Sequence, residues 1–201
     1  MTKFSTSQYK PAEGLTVRVV ENDQVLTLDY NGSITQHTGS LWWGTAVGFR
    51  AMQMASIALS DDYLWSRDNL VLVSGHPGPG VINSLNYVTS CMDKKRGTIM
   101  QNPNCVNRCN SEMKFEWWIS DPERTAHVKL REDLVPQEFY KLIDHLMYDE
   151  TTEEDHRLFE IYKVNLSAQI WNIPLQESFS VEYMAPLKVG EIPANHEWSS
   201  K

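Results

Sequence analysis

The chain is short of cysteine, of positive charge and of long apolar runs, and each shortage closes off a class of protein. Three cysteines in 201 residues is an odd number, which argues against a disulfide framework and for thiols kept reduced. No apolar run approaches the roughly 18 residues of a membrane span. Residues 1–15 contain no apolar stretch of the signal-peptide kind. The expectation is a cytoplasmic protein that does not enter a membrane. Lysine and arginine total 18 against 26 aspartates and glutamates, a net charge of −8. Binding to nucleic acid is therefore not expected. There is no internal repeat and no low-complexity segment. The one glycine-rich turn is not followed by Gly-Lys-Ser/Thr, which excludes a Walker loop, and its glycines are not spaced as in a dinucleotide fingerprint.

What is present is an ordinary core composition, 41% hydrophobic with seven tryptophans, enough for one domain without cross-links. Alternation predicts strands over 15–20 and 24–29, joined as a hairpin. Asn31-Gly32 reads as a turn. A helix follows Gly44, with Val47, Ala51, Met54 and Ala58 as its stripe. Met113, Phe115, Trp117 and Ile119 alternate with Lys114, Glu116 and Trp118, and Ala126, Val128 and Leu130 alternate with His127 and Lys129. These two strands form a hairpin with one face on the core, and His127 is expected on the exposed face. Phe139, Leu142, Ile143, Leu146 and Met147 make the stripe of a further helix, with His145 solvated beside it. Thr152 and Asp155 resemble the cap of the next helix, which ends at Ile173-Pro174. A last strand covers 179–183. Hairpins with separate helices indicate α+β, an antiparallel sheet with packed helices. The domain reading is a hairpin extension over 1–33, an α+β domain over 34–185 and a tail over 186–201.

The stretch from Leu70 to Cys109 carries the chemistry. An apolar strand, Leu70-Val71-Leu72-Val73, runs into Gly75-His76-Pro77-Gly78-Pro79-Gly80, and Ile82, Leu85 and Val88 continue at helical spacing. Pro79 and Gly80 suit a helix start, whose free N–H groups favour an anion or an electron-rich atom. Gly78 and Gly80 are expected either in backbone conformations that disfavour a Cβ or close to a ligand; a purely structural turn is the alternative. Cys91 follows the helix as a buried small residue or a metal ligand. Cys105 and Cys109 sit among asparagines, where packing does not explain them. They are ligands to a soft metal ion, a local disulfide or idle thiols. Trp42 and Trp43 are core or pocket wall. The basic run Lys94-Lys95-Arg96 reads as a solvated turn.

Gly44-Thr-Ala-Val-Gly-Phe-Arg-Ala51, Asn83-Ser-Leu-Asn-Tyr-Val-Thr-Ser-Cys91, and Lys95 with Gly97 resemble segments of the FmdE-like family of formylmethanofuran dehydrogenase components, over roughly 35–181. That resemblance implies an α+β core, pairing as a homodimer and a metal site. The family's first motif is altered, with His37 retained and shifted and Trp42 where its cysteine would fall. Gly80 replaces a later cysteine. No cysteine follows Cys109, so no C-terminal zinc ribbon is expected. Two functional readings follow. In the first, His37, Cys91, Cys105 and Cys109 hold a divalent metal, zinc or iron, in a metal-dependent enzyme or an accessory component of a redox enzyme, with His76 as a further ligand or as catalytic acid/base. In the second, a non-catalytic protein holds a flat ligand, a pterin or a haem, against Trp42, Trp43 and His76, with Gly78 and Gly80 beside it.

Overall fold

A computed structural model describes residues 16–36, 43–60, 64–100 and 111–194. The chain is α+β, with six helices and two sheets among the described residues. β1 (Thr16–Glu21) and β2 (Gln24–Asp29) form the expected hairpin. Its two-residue loop places Asn22 at φ 49° and Asp23 at φ 61°, the turn geometry that matches the twist of paired strands and that Asn and Asp tolerate. β3 (Leu64–Ser66) adds to β1 in parallel and completes a three-stranded sheet. Val17 and Val19 of the hairpin are fully buried in the main core, so this sheet shares its packing with the rest of the chain.

Asn31-Gly32 does not turn the chain. Both lie in α1 (Tyr30–Gln36), because the Asp29 carboxylate accepts the Gly32 N–H at 2.8 Å and caps the helix start. α2 (Trp43–Leu59) is buried on nearly every face rather than along one stripe. It lies against α1, α3, α5, β1 and β7, and so holds the centre of the molecule.

The larger sheet has the order β5-β4-β6-β7-β8. β4 (Val71–Ser74), α3 (Pro79–Thr89) and β5 (Gly97–Ile99) make one parallel crossover. β6 (Glu116–Ser120), β7 (Thr125–Leu130) and β8 (Phe179–Met184) then pair antiparallel, beginning on the other edge of β4. Each sheet thus combines antiparallel pairs with one parallel pair. α4 (Gln137–Tyr148) and α5 (Glu153–Asn172) follow β7, and the short α6 (Leu175–Ser178) leads into β8. Thr152 and Asp155 form the expected reciprocal cap of α5.

The β6–β7 pair corrects the expectation of one solvated face. Glu116, Trp118 and His127 are all buried. Trp118 and His127 are cross-strand partners, and their rings stack at 4.2 Å. Flat rings on opposed residues bury each other's faces, and the His127 Nε2 meets the Glu116 carboxylate at 3.0 Å. Trp118 also packs on Val73 and Met100 in a small second core.

Candidate functional site

The turn after β4 is pinned before it reaches α3. The Gly75 N–H donates to the Glu116 carbonyl at 2.9 Å, and a Cβ on Gly75 would lie 2.9 Å from the Glu116 side chain. Only glycine lets the strand pass there without displacing β6. The Ser74 hydroxyl donates to the His76 carbonyl at 2.9 Å. The Gly78 N–H donates to the His76 Nδ1 at 3.0 Å, which fixes the imidazole against its own turn. Pro79 then opens α3, with Gly78 as a cap that carries no side chain. The N–H groups of the first turn have no intrahelical partner.

α2 begins beside α3. A Cβ on Gly44 would sit 3.2 Å from the Val81 nitrogen, and one on Gly80 would sit 3.1 Å from both the Thr45 nitrogen and its hydroxyl. Glycine at both positions lets α2 pass close beside the start of α3, where the helix end carries partial positive charge. The expectation of a Cβ-disfavouring backbone at Gly78 and Gly80 is corrected. Gly78 has φ −60° and ψ 134°, and among the described glycines only Gly190 has a positive φ. What Gly80 supplies is close approach.

A cavity of about 150 Å³ opens against these helix starts. Trp43 and Gly44 come from α2, His76 and Gly78 from the turn, and Pro79, Gly80 and Val81 from α3. Met113 precedes β6, Phe139 and Ile143 come from α4, and Phe159 and Lys163 come from α5. Phe139 and Phe159 stack at 5.8 Å. Behind the wall, Phe115 stands 4.4 Å from the His76 ring and 5.7 Å from Trp43.

The polar groups of this wall are few. His76 is 4% exposed, and burial pushes its imidazole down to about 3, so the ring is neutral at physiological pH. Because Nδ1 accepts a hydrogen bond, the proton sits on Nε2. Among the described residues Nε2 has no partner, and it is the ring nitrogen left to meet a bound group. The Lys163 ammonium lies 2.5 Å from Glu160 and 4.7 Å from the centre of the Phe159 ring. Such a wall can bury a ring and donate a hydrogen bond to it. A neutral imidazole whose acceptor nitrogen is occupied is poorly suited to move protons near neutral pH.

Four of the residues singled out in the sequence, Trp43, His76, Gly78 and Gly80, thus meet in one cavity. His37, Trp42, Cys105 and Cys109 lie outside the described residues. Cys91 is fully buried in the main core. Its thiol donates to the Leu70 carbonyl at 3.3 Å, and burial raises it above the ordinary thiol range. Leu70 precedes β4 and His76 follows it, so Cys91 and His76 stand at opposite ends of that strand and do not converge. Among the described residues no group of three or more His, Cys, Asp or Glu is placed to hold a metal ion. Met113, Phe139, Ile143, Phe159 and Lys163 were not legible as site residues. The apolar ones belong to stripes that equally serve a core, and nothing local distinguishes Lys163 from a surface lysine. No protein-family model matches the chain, and no curated protein sequence matches it.

Proposed function

We propose that the chain is a binding protein for a small flat ligand, seated in the cavity where α2 and α3 begin. The observation that carries this reading is the cavity itself, about 150 Å³ and walled mainly by aromatic and aliphatic side chains around one inward histidine. A dry apolar cavity of roughly that volume holds benzene. The occupant is accordingly a single ring or a compact fused pair. The pyrimidine end of a pterin is of this kind, whereas a haem macrocycle is far larger than the space. Trp43, Phe139 and Phe159 supply flat faces for the ring. His76 orients it through a hydrogen bond. The neutral state of His76, and the lack of a carboxylate among the described lining residues, support holding a ligand over transforming it.

Calorimetric titration with quinoline, a flat probe that is uncharged at neutral pH and carries one acceptor nitrogen for His76, tests this. Saturable one-to-one binding is expected, with a negative heat-capacity change from buried apolar surface. Ile143→Trp fills the cavity from α4 and should abolish the binding while the variant still unfolds cooperatively. Wild-type protein that shows no saturable uptake of quinoline, or an Ile143→Trp variant that takes it up equally well, contradicts the reading.

A further inference from the structure

The polar character of the cavity goes further than its size, and the inference drawn from it rests on the binding reading above. The described side chains that line the cavity include no aspartate, glutamate, asparagine, glutamine, serine, threonine or tyrosine. The side chains there that carry nitrogen are Trp43, His76 and Lys163. An indole and an ammonium only donate. The imidazole has one acceptor nitrogen, and the Gly78 N–H occupies it. What His76 offers is therefore a donor. The backbone contributes in the same sense. Gly80 and Val81 stand in the first turn of α3, with Gly44 of α2 close against them. First-turn N–H groups have no intrahelical acceptor, and the start of α3 carries partial positive charge. The His76 carbonyl accepts from Ser74 and the Gly78 carbonyl from Ile82, so the acceptors nearest the turn are already engaged.

A helix start alone would not define a ligand. Here independent features point the same way: His76, 4% exposed, lines the cavity with its acceptor nitrogen engaged, and the Trp43 Nε1–H beside it is buried with no hydrogen-bond partner among the described residues. Leaving such a donor unpaired in an apolar cavity costs free energy that an acceptor would recover. We infer that the site selects a ring bearing an acceptor or anionic head, a small aromatic carboxylate or ring carbonyl, and rejects the same ring bearing an amine. The ring lies among Trp43, Phe139 and Phe159, and the head meets His76 Nε2–H at the start of α3. An ammonium head at that position would meet donor N–H groups and be desolvated with only the ring faces to offset the loss.

Three probes of one shape test the inference: benzoate, toluene and benzylamine, each titrated into the full chain in competition with quinoline. Hydrogen bonds to a charged group are strong enough for benzoate to bind about tenfold or more tightly than toluene, and benzylamine should not displace quinoline. Two variants locate the preference. His76→Leu removes the donor and keeps the volume, and Lys163→Met removes the charge and keeps the stem. Each should narrow the gap between benzoate and toluene while toluene binding persists. If His76→Leu fails to fold, Lys163→Met together with the wild-type ranking decides. Toluene binding as tightly as benzoate overturns the acceptor preference and leaves the cavity reading standing. Benzylamine equal to benzoate also overturns it. Failure of all three, and of quinoline, removes the binding reading itself.

Discussion

Arg50 joins the two longest helices through a single side chain. It sits in α2, 4% exposed, and reaches the last turn of α5. Its Nε donates to the Ile170 carbonyl at 3.2 Å and its Nη2 to the Ile173 carbonyl at 2.8 Å. Its Nη1 donates to Gln53 at 3.1 Å, and the guanidinium lies 5.2 Å from the centre of the Trp171 ring. Helix ends leave carbonyls without partners, and a cation there is favoured. Burial lowers the guanidinium to about 10, which still leaves it charged at physiological pH. Arg50→Met should cost about 3 kcal/mol, since it removes charged hydrogen bonds and strands two carbonyls. Arg50→Lys should recover less than half, because one ammonium cannot span the fork. Urea denaturation measures both, and a loss under about 0.5 kcal/mol for Arg50→Met, the size of an ordinary surface change, would show that the carbonyls find other partners. The sequence places Arg50 in a helix but does not reveal this role, because its acceptors lie more than a hundred positions away. His127 is the parallel case. Alternation put it on a polar face, and only its cross-strand partner Trp118 explains its burial.

The α4–α5 pair forms one wall of the cavity, and His145 clamps the end at which the two helices join. Nδ1 meets Asp149 at 3.0 Å, and Nε2 meets Asp155 at 3.3 Å. Two carboxylates on two ring nitrogens require the protonated ring. The bonds to Asp149 and then Asp155 raise the His145 imidazole above its ordinary value. A folded-state value above the unfolded one means that the clamp's stabilisation is complete below the unfolded value, about 6.5, and is lost as pH rises through the folded value. Thermal melts of wild type and His145→Gln should differ most at mildly acidic pH and converge above the folded value. A difference that stays constant across neutral pH, or grows with pH, refutes the clamp. Much at this level was legible beforehand. The apolar stripe of α4 and the Thr152–Asp155 cap are local patterns, and the structure has both. α1 was not legible, because Asn-Gly favours a turn and only the Asp29 cap tips it to helix.

The molecule joins two sheets around α2, and charged groups tie the sheets together at one edge. Lys94 reaches Glu21 at 2.7 Å and Asp68 at 2.8 Å, while Arg67 meets the same Glu21 at 3.0 Å. The basic run expected as a plain solvated turn is thus a link between β1 and the crossover after α3. At the opposite end of β4, the starts of α2 and α3 meet α4 and α5 around the cavity. Half of that site was legible, since a glycine-rich turn between strand and helix, with histidine and tryptophan nearby, has local signatures. The walls from α4 and α5 were not, because a stripe that lines a cavity has the same spacing as one that fills a core. The most direct measurement is a methyl NMR titration of the wild-type chain with quinoline, following Val81, Met113 and Ile143 at the cavity and Val17 and Val19 in the small sheet. The cavity methyls should shift together and saturate at one equivalent while Val17 and Val19 stay in place. Unmoved cavity methyls, or shifts of equal size in the small sheet, would contradict a binding site at the helix starts.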